Sequence, residues 1–407
     1  MTKPTLRAAL SPIALLAASA CMSVSATEPA TASAPAQPDE AAIIAERIAA
    51  ARSAGITDME AYAPVVRLPS CDGAGADPLG DASAFPGLEA ALAKAQSYSD
   101  AQNGKGLLVM VDGEIVHEGF ADGVSSTTPF VSQSLHKTLL AMVVMHAVDE
   151  GVIASLDDPI GRYLQGWADD PRGRITVRQA MQMASGLELY SMATGDARAL
   201  AMNFGTHLDK AAMGSALTDA PGELFAYNNA NAQLVGAALR SALTKAGKGS
   251  YEDYLAAKVW CPAGADGGGL RYDREGGSPQ FFAGVHASLF DWAFVGEALR
   301  KDEGGVYAPL SKASPANPNY GLFTWIGAPA DGQRRYSAGN PLFIPHSAPY
   351  EANDMIFMDG FGGQRVYVSR EHKLVIARFG EVSFTYDDAI IANLIVSALK
   401  GEGAGDD

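Results

Sequence analysis

The segment Ser132-Gln133-Ser134-Leu135-His136-Lys137 decides how this chain is interpreted. It opens a run from Leu135 to Val148 that is apolar nearly all round and ends at Gly151. A helix with this pattern is normally buried. Ser134 would lie on its first turn, where unpaired backbone N–H groups and the helix dipole favour developing negative charge. Lys137 follows at i+3 and therefore shares the same face of the helix.

A serine and a buried lysine in this arrangement can act as nucleophile and base. Burial disfavours the ammonium form and lowers the pKa of the lysine, so the amine can take the serine proton near neutral pH. The spacing alone does not identify a site, because Ser397-Ala398-Leu399-Lys400 repeats it. Taken by itself, Ser134 could equally be a helix N-cap with a surface lysine nearby.

A second motif, Tyr227-Asn228-Asn229, precedes a helical pattern from Ala230 to Leu239 and is the only Tyr-x-Asn in the sequence. A tyrosine beside a lysine can hold phenolate character and relay a proton. The amide of Asn229 can orient a substrate carbonyl or the lysine. The alternative is a turn followed by a helix cap.

A third motif, Gly360-Phe361-Gly362-Gly363-Gln364, stands directly before the predicted strand Arg365 to Val368. Gly362 and Gly363 would let a substrate approach the strand backbone closely. The N–H of Gln364 is predicted to join that of Ser134 as an oxyanion hole. A bare turn is the alternative, but the three motifs in this order are less readily accidental than any one of them.

Strand patterns occur near both ends of this region. Gly106 to Val111 and Glu114 to His117 flank Asp112-Gly113, which is typical of a tight hairpin turn. Arg365 to Val368 and Leu374 to Arg378 form a second such pair, and Tyr386 to Leu399 predicts a closing helix. We therefore expect an α/β (α+β) fold. An antiparallel sheet from both chain ends is flanked by helices, with a mostly helical subdomain between them.

Composition excludes several classes of protein. The chain has 407 residues, 48% of them hydrophobic, which allows a large core. Its 30 Lys plus Arg against 46 Asp plus Glu give a net charge of -16, which repels nucleic acid. The sequence contains no Cys-x-x-Cys and no His-Glu-x-x-His, which argues against a metal site. The proposed chemistry of Ser134 and Lys137 implies no other cofactor.

The N-terminus has the layout of a secretory signal. Lys3 and Arg7 precede an apolar run from Ala8 to Ala20, and Val24-Ser25-Ala26 fits the small-x-small cleavage rule. We predict a signal peptide at 1–26 and an exported protein, periplasmic or secreted. The alternatives are a lipid anchor at Cys21, after Ala18-Ser19-Ala20, and a core helix. No later stretch is long and apolar enough to suggest a transmembrane segment.

The rest of the chain divides into three predicted parts. Residues 27–85 are a linker and an accessory helix (Asp39 to Ala54), 86–400 the main domain, and 401–407 a disordered tail. If Cys21 leaves with the signal or carries lipid, Cys71 and Cys261 remain. In an oxidising compartment these two either form a disulfide or stay as free thiols.

The order of the three motifs resembles that of the penicillin-recognising serine hydrolases, meaning class C β-lactamases, DD-peptidases and related esterases. The resemblance covers about residues 86 to 400 and includes Asp157-Asp158-Pro159-Ile160 and Met183-Ala184-Ser185-Gly186-Leu187. Within the family, Gly360 to Gln364 and Gly284 to Ser288 are most similar to 6-aminohexanoate-dimer (nylon-oligomer) hydrolases and their carboxylesterase relatives.

The resemblance implies a role for each motif. Ser134 would be the acylated nucleophile, Lys137 the general base, and Tyr227 the proton relay to the leaving group. Asn229 would support Lys137 and the substrate. Phe361-Gly362-Gly363 takes the place of the Lys-Thr-Gly of β-lactamases, and that lysine is the usual cation for a substrate carboxylate. We therefore expect small linear amides or esters rather than β-lactams as substrates.

Three further residues are weaker candidates. Tyr190 and His286 could line the substrate cleft or be structural, and His136 is more simply a packing residue. Two functional alternatives stay open at this stage: a β-lactamase or DD-peptidase, and a penicillin-binding-like sensor without turnover.

Overall fold

The computed structural model describes residues 39–71, 79–190, 195–327, 333–335 and 343–401. The predicted signal peptide with Cys21, residues 27–38 of the linker and residues 402–407 of the tail lie outside these ranges. Within them, no helix is both long and apolar enough to cross a membrane.

The helices are described first. In chain order they are α1 (Glu40–Ser53), α2 (Leu88–Ala101), α3 (Leu135–Asp149), α4 (Val177–Met181), α5 (Ala197–Phe204), α6 (Leu208–Met213), α7 (Asn229–Ala246), α8 (Tyr251–Leu255), α9 (Cys261–Ala263), α10 (Leu289–Lys301) and α11 (Asp388–Leu399). A π-helical turn, Ala256–Trp260, joins α8 to α9.

The strands are mostly short. They are β1 (Val65–Arg67), β2 (Gly104–Val111), β3 (Glu114–Phe120), β4 (Phe130–Val131), β5 (Gly269–Arg271), β6 (Val285–Ala287), β7 (Trp325–Ile326), β8 (Gln333–Arg335), β9 (Phe343–Pro345), β10 (Ile356–Gly360), β11 (Gln364–Ser369) and β12 (Leu374–Gly380). Strands β8 and β9 pair only with each other among the described residues.

The main sheet is built from both chain ends, as the strand patterns predict. Its order is β3-β2-β12-β11-β10-β7, and every pair is antiparallel. Asp112 and Gly113, with φ of 52° and 90°, form the turn between β2 and β3, because a primed turn needs positive φ at both positions. The expected fold class is therefore confirmed.

Helices cover both faces of this sheet. Gly296 of α10 lies so close to Val366 of β11 that an added Cβ would be 2.7 Å from the valine side chain. Successive strand residues face opposite sides. Arg365 and Tyr367 accordingly contact Asp388 of α11, which packs beside α2. The sheet thus lies between α10 on one side and α2 with α11 on the other.

A second, four-stranded sheet was not predicted, because its strands have only two or three residues. Its order is β1-β5-β6-β4. Strand β4 runs directly into the segment before α3, and the Ser132 N–H donates to the Val285 carbonyl at 3.2 Å. This small sheet therefore fixes where α3 begins.

The N-terminal segment is attached to the main domain. The predicted accessory helix is present as α1, with Asp39 as its N-cap. Arg47 of α1 donates to the Gly205 carbonyl at 2.8 Å. Cys71, after β1, is disulfide-bonded to Cys261 of α9, with 5.3 Å between their Cα atoms. Of the two alternatives for these cysteines, the structure has the disulfide.

Candidate active site

Ser134 is the N-cap of α3, at the end of a tight connection from β4. Gln133 before it has a φ of 52°, in the left-handed region that few non-glycine residues adopt. Such backbone strain is often found at functional positions. The Ser134 side chain therefore stands at the N-terminus of a buried helix, where unpaired N–H groups can stabilise an oxyanion.

Lys137 lies one turn further along α3 and is only 1% exposed. Its Nζ is 2.7 Å from Ser134 Oγ and donates to the Phe282 carbonyl at 3.0 Å. Burial lowers the pKa of Lys137 to about 7, and the negative charge of Asp359 partly opposes this shift. A neutral amine at this position can accept the serine proton near neutral pH.

The Phe282 carbonyl, which no local sequence pattern indicates, lies in a segment whose flanking residues, Gln280 and Gly284, contact His136. His136 Nδ1 lies 3.0 Å from the Gln280 carbonyl and accepts from the Gly284 N–H at 3.2 Å. Its Nε2 is 3.0 Å from the Tyr251 hydroxyl. Complete burial lowers the pKa of His136 to about 3, so the ring is neutral and acts as a packing residue.

Tyr227 faces the lysine from the loop before α7. Lys137 Nζ lies 4.9 Å from the centre of the Tyr227 ring. That ring stacks on Trp325 of β7, with 5.9 Å between centroids and 22° between planes. The Asn228 side chain accepts from the Ala230 N–H at 2.9 Å and so caps α7. Tyr227 is thus brought to the Ser134–Lys137 pair, and its role as proton relay stays a prediction.

Asn229 is placed differently from what the family resemblance implies. It is the first residue of α7, and its Nδ2 donates to Asn203 Oδ1 at 2.9 Å. The hydrogen bonds of Lys137 with described residues instead go to Ser134 and the Phe282 carbonyl. The expected support of Lys137 by Asn229 is therefore not present, and a contact between Asn229 and substrate stays a prediction.

The Gly-rich motif is a turn between two strands. Gly360 ends β10 and pairs with Gln364 at the start of β11, so Phe361, Gly362 and Gly363 connect them. Both Gly362 and Gly363 have positive φ, of 87° and 95°, which explains why glycine is needed there.

Gly360 is the member of this motif that approaches the segment carrying Ser134. A Cβ there would lie 2.6 Å from the Ser132 carbonyl and 2.7 Å from Leu135 Cδ1. The buried side chain of Gln364 is bonded to Gly380, accepting from its N–H at 2.9 Å and donating to its carbonyl at 2.9 Å. The Gln364 N–H as oxyanion donor stays a prediction, and the N–H that follows Gly360, that of Phe361, is a second candidate.

The two remaining candidates lie in different surroundings. Tyr190 is partly buried, with the Arg198 guanidinium 4.2 Å from its ring centre. It follows Glu188, whose carbonyl accepts from Asn228 Nδ2 at 2.8 Å, so this segment borders the Tyr227 loop. His286 of β6 is 2% exposed and its ring packs edge-on against Tyr62. Such burial does not favour the predicted substrate contact of His286.

Apolar side chains stand beside the turn. Phe361 is 47% exposed, and its ring contacts that of Phe384, which is 61% exposed. Val382 is exposed next to Gly362. The position at which the family resemblance implies a lysine therefore presents an apolar surface here.

The repeated Ser-x-x-Lys spacing on α11 forms no comparable pair. Lys400 is exposed, and its Nζ donates to the carbonyl and the carboxylate of Glu351 at 2.7 and 3.0 Å. The Ser-x-x-Lys spacing is thus the same at Ser134 and Ser397, whereas the burial and the hydrogen-bond partners of the two lysines differ.

Similar solved structures share this fold. One, from Bacillus anthracis, is assigned as a 6-aminohexanoate-dimer hydrolase and has 16% identity and a TM-score of 0.64, over 86% of this chain and 92% of that one. The hydrolase EstCE1, which has promiscuous acyltransferase activity, has 16% identity and a TM-score of 0.58, over 77% and 98%. A D-stereospecific amidohydrolase from Streptomyces has 18% identity and a TM-score of 0.52, over 74% and 96%.

A search of curated proteins found no match. The family model described as β-lactamase matches residues 89–394, which is most of the chain and includes Ser134, Lys137 and Tyr227. On that match and the shared fold, the protein belongs to the β-lactamase family.

Proposed function

We propose that this protein is a serine hydrolase that cleaves ester or amide bonds of small linear substrates through an acyl intermediate on Ser134. The observation that carries the proposal is the contact of Lys137 Nζ with Ser134 Oγ, at 2.7 Å, in a buried setting that lowers the pKa of the lysine to about 7. A poised amine next to a serine hydroxyl is the arrangement that nucleophilic catalysis needs.

Acylation follows from this geometry. Lys137 takes the Ser134 proton as Oγ attacks the substrate carbonyl carbon, and the N-terminus of α3 faces the developing oxyanion. When the tetrahedral intermediate collapses, the bond to the alkoxide or amine leaving group breaks. Lys137 returns the proton to that group, with Tyr227 as the relay. Ser134 is left as an ester.

Deacylation reverses the roles of the same groups. A water molecule attacks the acyl carbon while Lys137, alone or through Tyr227, takes its proton. Ser134 Oγ then leaves as the new carboxylic acid forms, and it regains the proton held by Lys137. No group besides these side chains, backbone amides and water is needed for the cycle.

The apolar surroundings of Phe361 favour uncharged substrates over β-lactams. A β-lactam carries a carboxylate, and desolvating it against exposed Phe361 and Phe384 would cost free energy without an ion pair in return. A β-lactamase or DD-peptidase is the runner-up, and a sensor without turnover is the alternative from another class.

Export is part of the proposal. The disulfide between Cys71 and Cys261 supports it, because disulfides persist mainly in oxidising compartments. The predicted signal at 1–26 and the choice between a free and a lipid-anchored N-terminus stay predictions.

The test compares hydrolysis of short-chain p-nitrophenyl esters, linear amides and a chromogenic cephalosporin. We expect the wild type to cleave an ester or linear amide with kcat/KM at least about 10-fold above that for the cephalosporin. Ser134→Ala should abolish turnover, and Ser397→Ala should leave it unchanged. Faster cephalosporin hydrolysis would favour the runner-up, and no turnover of any substrate would favour the sensor.

A further inference from the structure

A cluster of three buried charged side chains lies next to the turn that connects β10 to β11. Arg365 of β11 is 0% exposed, and its Nη1 lies 2.5 Å from Asp359 Oδ1 of β10. Its Nε donates to Asp388 Oδ1, on the first residue of α11, at 2.8 Å. Both carboxylates are themselves buried. Fully buried ion pairs add little stability compared with an apolar core, so this cluster of charged side chains calls for a role besides stability.

The guanidinium of Arg365 also holds the backbone of the turn. Nη1 donates to the Gly360 carbonyl at 3.0 Å and to the Gln364 carbonyl at 2.8 Å. These two residues face each other where β10 ends and β11 begins. Arg365 therefore fixes the direction of the Gly360 carbonyl.

Fixing that carbonyl fixes an N–H as well. The peptide between Gly360 and Phe361 is trans, so its C=O and N–H point in opposite directions. Its carbonyl is turned towards Arg365, on the side of the sheet that faces α11. The Phe361 N–H is consequently turned away from Arg365. The residue before it, Gly360, packs on the Ser132 carbonyl, two residues before the N-cap of α3, and on Leu135, the first residue of α3.

We infer that Arg365, held by Asp359 and Asp388, is a positioning residue that aims the Phe361 N–H at the oxyanion formed on attack by Ser134. The inference rests on the proposed function and extends it to a residue that touches no substrate. The pairing of β10 supports the inference. Strand β7 pairs with Ile356 and Phe357 and ends before Met358–Gly360, so β7 does not cover the part of β10 that leads into the turn.

The chain offers a matched control in a second buried arginine. Arg378 of β12 is also 0% exposed, and its Nη1 donates to the Gly363 carbonyl at 2.9 Å. It lies against the same Tyr386 ring as Arg365, at 4.8 Å compared with 5.6 Å. Arg378 thus holds the peptide that carries the Gln364 N–H, the other candidate donor, whereas Arg365 holds the peptide that carries the Phe361 N–H. The two variants therefore also distinguish between the two candidate donors.

The experiment compares Arg365→Lys with Arg378→Lys in ester hydrolysis, after titrating active sites to correct for the folded fraction. A boronic acid that mimics the tetrahedral intermediate gives a second readout. We expect Arg365→Lys to lower kcat roughly 10- to 100-fold with KM within about 3-fold, since misaligning an oxyanion donor affects the transition state. Boronic-acid affinity should fall in parallel, whereas Arg378→Lys should stay within about 3-fold in kcat.

Asp388→Asn replaces Arg365→Lys in this experiment if the latter does not fold. In Asp388→Asn, Arg365 still has Asp359 as an ion-pair partner. Its kcat and boronic-acid affinity should fall together by roughly 3- to 10-fold. The inference is overturned if the folded variant keeps both values, or if Arg378→Lys loses as much as Arg365→Lys. A wild type that neither turns over esters or amides nor binds the boronic acid would instead refute the proposed function.

Discussion

Lys137 Nζ lies 2.7 Å from Ser134 Oγ and 3.0 Å from the Phe282 carbonyl. The helix that carries Lys137, α3, is buried on nearly every side. The contact joins the proposed nucleophile to the proposed base. Among the described residues, no carboxylate lies within hydrogen-bonding range of the amine.

The pH dependence of activity should report the pKa of Lys137. Because burial lowers that pKa to about 7 and the neutral amine is the active form, kcat/KM should rise with pH and level off above about 8. The measurement is kcat/KM for a neutral ester between pH 5 and 9. An ascending limb centred near 10 would mean that the lysine is not depressed.

Replacing the lysine should stabilise the fold while abolishing turnover. Between pH 7 and 10.5 the unfolded chain holds the Lys137 proton and the folded chain does not, so wild-type stability from this group rises with pH by about 1.4 kcal/mol per unit. Lys137→Met removes that term. The variant should therefore have a larger free energy of unfolding than the wild type below pH 7, and this difference should shrink towards pH 10.

Urea denaturation of both proteins at pH 6, 8 and 9.5 measures the difference. Two results would contradict the lowered pKa of Lys137. One is a Lys137→Met variant that is less stable than the wild type at pH 6, and the other is a difference in free energy of unfolding that does not change with pH.

Tyr227→Phe should affect poor leaving groups most. The variant keeps the stacking of ring 227 on Trp325 but removes the hydroxyl, so kcat for alkyl esters or amides should fall about 10²- to 10⁴-fold. The loss for p-nitrophenyl esters should be smaller, because that group leaves without protonation. Tyr320→Phe, in edge contact with the same Trp325 ring, is the control. An equal loss for both leaving groups would argue against a proton relay.

Gly360→Ala should impair catalysis by pushing the turn away from α3. The added Cβ would lie 2.6 Å from the Ser132 carbonyl, closer than any real contact, so kcat should fall roughly 10- to 100-fold. Gly304→Ala is the matched control, since its Cβ would meet only Val306, at 3.7 Å. Unchanged kcat in a folded Gly360→Ala variant would show that the close approach is not needed.

The position of the Ser134–Lys137 pair was predictable from sequence because it depends on a short local pattern. The i+3 spacing of Ser134 and Lys137 on an apolar helix already implies a shared, buried face. The hairpin at Asp112-Gly113 and the two-ended sheet follow from period-two patterns around turn residues.

Long-range partners were not predictable in the same way. Strand β10 was missed because Asp359 resembles a turn residue until its pairing with Arg365 is known. For the same reason the sequence indicates Gly360 to Gln364 as the start of one strand or as a bare turn, and does not show that it connects two strands. Asn229 donates to Asn203, and Lys137 donates to a backbone carbonyl. No local sequence pattern indicates either of these pairings.

The central claim is that Ser134 becomes acylated, and mass spectrometry of the protein after treatment with a fluorophosphonate tests it most directly. We predict one adduct, on the peptide that carries Ser134. The adduct should be lost in Ser134→Ala and kept in Ser397→Ala, whose lysine neighbour is paired with Glu351 instead. Folded wild-type protein that forms no adduct on the Ser134 peptide would contradict the account.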